Sequence, residues 1–273
     1  MKKNVIKKVC LGLVAVLSAI TLIGCGGNGA DDKVIRIGAS PSPHAEILEQ
    51  VKAEVEAQGY TLEITEYNDY VIPNTAVQQG ELDANFFQHK PYLDNFNVNN
   101  GTDLVSVAAI HFEPLGVYSK ELTNLSELSE GAKVGVPNDA TNEARALLLL
   151  EANGIITLKE GAGVSATIQD IASNPLNLEI VEIEAAQLPL SLQDFAIAVI
   201  NGNYAISGGL KVADALAIEE STSVAAETYA NIVAVKAGNE DSEKIQVLIN
   251  ALKSDAVKQY IEGTYEGAVV PVF

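Results

Sequence analysis

A chain of 273 residues with 48 % hydrophobic content, 21 Gly and 9 Pro carries enough apolar material to bury a full core in one or two lobes. Its 17 basic residues face 36 acidic ones, a formal charge of −19, and such acidity argues against nucleic acid or an anionic membrane surface as a partner. Cysteine occurs twice, at Cys10 and Cys25, and the first segment of the chain decides the use of both.

That segment begins with Lys2, Lys3, Lys7 and Lys8, continues as an apolar run over residues 9–23 and ends at Gly24 and Cys25. It reads as a signal peptide over residues 1–24. The run is shorter than the roughly 20 apolar residues of a spanning helix, which makes a permanent transmembrane anchor the weaker reading. Leu22-Ile23-Gly24-Cys25 resembles a bacterial lipobox, in which cleavage leaves the cysteine first, with lipid on its sulfur and amine. The alternative is a plain secretory signal with an incidental cysteine. Two acyl chains suffice for stable anchoring, so the expected product is exported and lipid-anchored at Cys25 to the outer face of the cell membrane. Cys10 leaves with the leader, no disulfide can form, and losing four lysines makes the mature chain still more acidic. Residues 25–32 are small and polar, a flexible tether.

From Lys33 onward helix and strand patterns alternate. Strands are predicted at 34–38, 61–67, 105–110, 133–136, 178–183, 195–200 and 229–235; helices at 45–57, 143–152, 167–173, 212–219 and 242–261. In the first helix Ile47, Leu48, Val51 and Val55 share one face, and Gly59 stops it. The later strands are nearly continuous apolar runs, which implies burial on both faces in a parallel or mixed sheet flanked by helices. The class is α/β. Length accommodates one doubly wound sheet or two lobes equally well.

Three clusters carry candidate chemistry. At residues 136–150 a strand ends, Asp139 or Thr141 caps a helix, and Asn142 and Arg145 fall in its first turn. A cation there opposes the macrodipole unless a carboxylate sits between them, meeting both free N–H groups and a guanidinium; pairing of Arg145 with Glu143 or a neighbouring loop acid is the competing reading. Aromatics are scarce, at 5 %, yet Tyr70, Phe86, Phe87, His89 and Tyr92 gather within 23 positions, the material of an apolar pocket with polar tips. Core packing is the alternative for Phe86 and Phe87, and His111 is placed to join the same wall. The third cluster is Asn201, at a strand end, and Asn231, inside the run 229–235. Amides in apolar strands need partners, either a backbone group or a ligand's ammonium.

Enzyme signatures are weak: no Gly-x-Ser-x-Gly, His-Glu-x-x-His, Cys-x-x-Cys or Walker loop occurs. Gly161-Ala-Gly163-Val-Ser-Ala166 matches a degenerate dinucleotide fingerprint, but the segment before it is a poor strand. His44, His89 and His111 show no metal-ligand spacing, and neither metal nor cofactor is expected.

Ordered motifs then carry a resemblance. Asp69-Tyr-Val-x-Pro-Asn74, Gly80-Glu-Leu-Asp-Ala-Asn-x-Phe-Gln-His-x-Pro-Tyr92, His111-x-x-Pro-x-Gly116 with Tyr118-Ser-Lys120, Pro137-Asn-Asp-x-Thr-Asn-x-x-Arg-Ala-Leu147 and Tyr229-Ala-Asn231 resemble the methionine-binding lipoproteins of bacterial ABC importers, the NlpA or MetQ type. The resemblance implies a two-lobed periplasmic-binding-protein fold of type II that closes like a hinge on a cleft, with residues 33–112 plus 231–273 as lobe 1 and 113–230 as lobe 2. It further implies that Asn142 and Arg145 hold an amino-acid carboxylate, that Asn201 and Asn231 help fix the α-amino group, and that Tyr70, Phe87, His89 and His111 line a pocket for a thioether. Its partners would be methionine, a permease and an ATPase, with the chain itself a monomer. Ile72, Ala140, Ala144 and Leu190 depart from the family's usual residues beside these contacts. They leave open L- or D-methionine, another amino acid or a methionine-containing dipeptide. A surface adhesin remains the reading from another class, though the few aromatics give it little material.

Overall fold

The computed structural model describes residues 33–221 and 224–273; the leader, Cys25 and the tether lie outside them. In chain order the first half comprises β1 (Val34–Ala39), a turn at Pro41–Ala45, α1 (Glu46–Ala57), β2 (Thr61–Glu66), α2 (Ile72–Gln79), β3 (Ala84–His89), α3 (Lys90–Asn100) and β4 (Leu104–Phe112). The chain then builds β5 (Gly116–Tyr118), β6 (Lys133–Pro137), α4 (Ala140–Ala152), β7 (Thr157–Leu158), β8 (Ile171–Ser173), β9 (Glu179–Ile183), β10 (Ile197–Ile200), α5 (Gly202–Ser207), β11 (Ala217–Ile218) and α6 (Val224–Thr228). It closes with β12 (Asn231–Lys236), α7 (Glu243–Leu252), α8 (Asp255–Tyr265) and β13 (Val270–Pro271).

Two main sheets result, ordered β13-β4-β12-β3-β1-β2 and β11-β5-β10-β6-β9. Both are mixed: β1 runs parallel to β2 and β3, while β12 enters antiparallel between β3 and β4. In the second sheet β6 is parallel to β9 and β10, and β5 is antiparallel to β10. Each sheet has its own core. Ile35, Ile37 and Phe86 pack with Ile47, Leu48, Leu248 and Ile261 in the first; Val134, Val136, Leu147 and Val199 pack in the second. Such fully buried apolar side chains contribute ~1.5–3 kcal/mol each. The outcome is an α/β molecule of two lobes.

Among the described residues the chain passes from the first sheet to the second over 113–115, after β4, and the segment leaving β11 starts at Glu219. They are bonded to each other: Leu115 N–H donates to a Glu219 carboxylate oxygen at 2.9 Å, and Glu219 N–H donates to the Leu115 carbonyl at 3.0 Å.

Local chemistry accounts for the departures from the predicted elements. The helix expected at 167–173 is a single 3-10 turn, because Asp170 takes both the N–H and hydroxyl of Thr167, after which 171–173 pairs as β8 with β7. The helix expected at 212–219 is likewise one short turn followed by β11, whose pairing with β5 outweighs helical propensity. The expected long helix 242–261 is two helices, broken at Ser254, whose extended backbone and Oγ cap α8. Gly161 and Gly163 both have positive φ in a short turn rather than opening a helix after a buried strand, so the dinucleotide fingerprint is not realised. Among the described residues no helix is long and apolar enough to cross a membrane.

Candidate functional site

Three neighbouring strands bring the motif residues together. Asn231, the first residue of β12, lies opposite His89 of β3 on one side and His111 of β4 on the other. A small cavity opens over these strand ends, a concave site with apolar and polar side chains converging on it, as in ligand pockets generally. Every residue expected at the site except His111 lines it.

One wall is aromatic. Tyr70 packs against Phe87, tilted, and Tyr92, edge-on, both at 5.6 Å between centroids, and reaches the second lobe through Tyr204 at 4.9 Å. Its hydroxyl donates to Asn203 Oδ1 at 2.5 Å, while Tyr204 donates to the Asn68 carbonyl at 3.1 Å. Burial raises the pKa of both phenols, which therefore act as donors. Phe86, by contrast, is core: it is fully buried and packs edge-on against His44.

The opposite wall is a polar relay whose direction is fixed at Asp139. This carboxylate, which can only accept, caps α4 at Asn142 N–H and receives the Asn142 side-chain amide at 2.9 Å. Asn142 Oδ1 must then accept, and it does so twice, from His89 Nε2 at 3.1 Å and Asn201 Nδ2 at 2.9 Å. His89 agrees, since its Nδ1 accepts from Tyr92 N–H and so its proton resides on Nε2. The relay leaves Asn201 Oδ1 buried, with no partner. Asn142, expected on a ligand carboxylate, has its side-chain amide bonded to Asp139 and its Oδ1 to His89 and Asn201 within the protein.

Two ionisable groups occupy the same wall. Arg145 is 4 % exposed, with Nε donating to Glu219 at 2.8 Å, Nη2 to the same carboxylate at 2.5 Å and Nη2 again to the Glu113 carbonyl at 2.8 Å. The loop acid of the competing reading is therefore present, as Glu219, while Glu143 instead accepts from Ile168 N–H. Among the described residues these bonds leave Nη1 for a ligand. The guanidinium also stands 4.5 Å over Tyr229. The second group is Glu113, buried, its Oε1 2.7 Å from His111 Nε2 and 3.4 Å from His44 Nε2.

His111 thus stands behind the cavity wall, not in it. It is fully buried beside His44, at 4.9 Å between rings, because β4 is an inner strand and its side chain points into the core packed under the sheet. His44 Nε2 also donates to Asn231 Oδ1 at 3.0 Å. Burial lowers His44 to about 4 and both His89 and His111 to about 3, so all three are neutral donors near pH 7 and weak general bases. His44, His111 and Glu113 place three ligand atoms within 4.8 Å of one another, a grouping that sequence spacing did not reveal. Both histidines leave Nδ1 without a partner, whereas metal-bound histidines characteristically anchor that second nitrogen. The trio has the geometry of a hydrogen-bonded cluster.

Glu113, Glu219, Asn203 and Gln88 carry no signal in the sequence that marks them for the site. Glu113 occupies an unspecified position inside the His111-x-x-Pro motif, and Glu219 sits in an acidic pair, Glu219-Glu220, with nothing local to distinguish it.

The profile of the family described as NlpA lipoprotein matches residues 35–273. The D-methionine-binding lipoprotein MetQ of Escherichia coli is 39 % identical over 260 residues, 94 % of either chain. A nutrient binding protein from Burkholderia cenocepacia, solved bound to methionine, is 44 % identical with a TM-score of 0.84 over 88 % of this chain and 100 % of its own. An ABC transporter periplasmic substrate-binding protein from Coxiella burnetii is 41 % identical, TM-score 0.82, over 87 % of this chain and 100 % of its own.

Proposed function

The chain belongs to the NlpA lipoprotein family, and from that premise we propose that it is the substrate-binding lipoprotein of an ABC importer, capturing methionine between its lobes and delivering it to a membrane permease. Lobe 1 comprises residues 33–112 plus 231–273 and lobe 2 residues 113–230, a division supported by the membership of the two sheets. The protein is exported and held at the membrane by lipid on Cys25.

The observation that carries this reading is a small cavity in which a buried arginine, a buried unpartnered amide oxygen and an aromatic wall converge. A free amino acid presents the matching triad of carboxylate, ammonium and side chain. In this reading Arg145 Nη1 takes the carboxylate, and Asn201 Oδ1 accepts from the ammonium together with the second lone pair of Asn231 Oδ1. Tyr70, Phe87 and His89 enclose the thioether, with sulfur–aromatic contacts of ~0.3–1.5 kcal/mol. Asn142 positions Asn201 and His89. Burying a zwitterion without such partners would cost several kcal/mol per group. The neutral histidines leave the bound molecule chemically unchanged.

Native mass spectrometry of protein purified without denaturation, followed by calorimetry after unfolding and refolding, tests this. A retained mass equal to methionine and micromolar or tighter rebinding are expected. Binding of a different amino acid or a methionine-containing dipeptide would keep the importer and redraw the pocket; absence of any small ligand would overturn the reading and favour a surface-interaction role.

A further inference from the structure

Glu113 is a buried carboxylate in the cavity wall, and among the described residues no lysine or arginine pairs with it through the side chain. Arg145, its neighbour, meets only its backbone carbonyl and gives its charge to Glu219. The groups that do face the carboxylate are His111 from β4, His44 from the Pro41–Ala45 turn and the Asn203 N–H at the start of α5, with Arg145 and Tyr70 acting on it through space. Oε1 accepts from His111 Nε2 and lies 3.4 Å from His44 Nε2, whose proton goes to Asn231 Oδ1. Oε2 lies against Gly202, where a methyl group in place of a hydrogen would fall 2.9 Å from it, so that the absence of a side chain at Gly202 leaves this oxygen beside the cavity.

The tautomers follow from the available partners. Glu113 can only accept, and both Nδ1 atoms face no partner, so His44 and His111 carry their protons on Nε2. The neutral N–H donors of His111 and the Asn203 backbone support an anion without neutralising it. The wall therefore presents a net negative group beside two further acceptors, the unpartnered Asn201 Oδ1 and the Asn231 amide oxygen. A primary ammonium, with one positive charge and three N–H groups, matches that set.

We propose that Glu113 is the residue by which this cleft demands an α-ammonium group, and that His111 is a positioning residue that holds its carboxylate toward the ligand. The proposal rests on the amino-acid reading above and adds to it a selectivity: free α-amino acids are accepted, while α-hydroxy acids and N-acylated amino acids are refused. Burial raises the Glu113 carboxyl above its ordinary range, so methionine affinity falls on acidification as Glu113 takes up a proton and ceases to attract the ammonium.

The test is calorimetry of the intact mature protein with L-methionine and with 2-hydroxy-4-(methylthio)butanoate, which replaces only the ammonium by a hydroxyl. Wild type should prefer methionine by at least about a hundredfold, the scale at which a site rejects an analogue that leaves its buried polar groups unpaired. Glu113→Gln should reduce that preference to under about tenfold, and Glu113→Asp, which keeps the charge, should retain most of it at lower overall affinity. His111→Gln, which can still place a donor near Oε1, should preserve the preference. His111→Leu should weaken it and move the acid fall of methionine affinity to higher pH, a shift that loss of packing alone does not produce. Wild-type preference in Glu113→Gln, or an unmoved pH profile in His111→Leu, would overturn the proposal. If wild type bound both compounds equally, Glu113 would lose this role while methionine capture stood; if it bound neither, the amino-acid reading would fall and take this one with it.

Discussion

Arg145 and Glu113 sit side by side in the cavity wall, joined by the bond from Nη2 to the Glu113 carbonyl, yet their charges are compensated in different ways. Arg145 has a carboxylate partner of its own in Glu219, reached through both Nε and Nη2. Glu113 has only neutral partners, the His111 imidazole and the Asn203 N–H, with His44 beside them and Arg145 acting through space. A buried pair such as the first gives little net stability but is costly to break, because removing one member strands the other. A buried anion held by neutral donors retains unmet attraction for a cation. The arginine corner is thus electrically closed in the protein itself, and the glutamate corner is open to a ligand. Glu219 also bonds Leu115, so the closed corner ties the two crossovers together at the place where the lobes join.

Acid should separate the two corners most strongly. An unfolded imidazole titrates near ~6.5, whereas burial pushes His44 down to about 4 and His89 and His111 to about 3. Between these values the unfolded chain binds protons that the fold excludes. Stability is therefore complete above the unfolded value and is lost as pH falls, with a slope of up to three protons, on the order of 4 kcal/mol per pH unit. Glu113 acts in the opposite sense: its raised carboxyl is protonated in the fold before it is in the unfolded chain, offsetting one proton of that slope. The guanidinium remains charged throughout. Urea midpoints measured from pH 7 to pH 4 should fall steeply, and His111→Gln should flatten the curve by about one proton. A level curve would mean that the histidines are already protonated in the fold.

Arg145→Ala comes next in size and addresses the closed corner. Glu219, its side chain 10 % exposed, would lose its cation, a loss of up to ~3–5 kcal/mol in thermal or urea denaturation. Methionine binding should become undetectable by calorimetry, since charge-assisted bonds carry ~1.5–3 kcal/mol each. Adding Glu219→Gln should restore part of the stability and none of the binding. Recovery of both together would assign Arg145 to structure alone.

How far these corners could be read from the sequence follows the range of the interactions that build them. Arg145 draws attention because a cation near a helix start conflicts with the local dipole, a signal contained within residues 136–150. Tyr70, Phe87 and His89 stand out because aromatics are scarce in the chain, and α1 declares itself by the spacing of Ile47, Leu48, Val51 and Val55. Glu219 gives no such signal: its partner is 74 positions away, and an acid in an acidic chain is unremarkable by composition. His44 and His111 are 67 positions apart by their numbering and meet only because β1 and β4 share a sheet. The same limit explains β11 and β8, two- and three-residue strands made by their partners against local helical patterns. The Ser254 break is local, a serine cap followed by Asp255, and is hidden by uninterrupted apolar spacing on either side.

A single methyl group should give the smallest and most selective disturbance of the comparison. A Cβ on Gly202 would stand 2.6 Å from Glu113 Cβ and 2.9 Å from Oε2, and the first of these atoms cannot swing aside because it is fixed to the backbone. Gly202 is absent from the positive-φ glycines, so alanine is free to adopt the local backbone and the cost is contact alone, ~1–3 kcal/mol of overpacking. That contact falls on the open corner and leaves the Arg145–Glu219 bonds in place. Gly202→Ala should therefore lower methionine affinity by about tenfold or more through displacement of Glu113. The preference for methionine over methioninol, which lacks the carboxylate, should stay at its wild-type value because Arg145 reads that group. Loss of both discriminations in equal measure would show that the two corners move as one unit, and that the separation between a closed cationic corner and an open anionic one does not extend to ligand recognition.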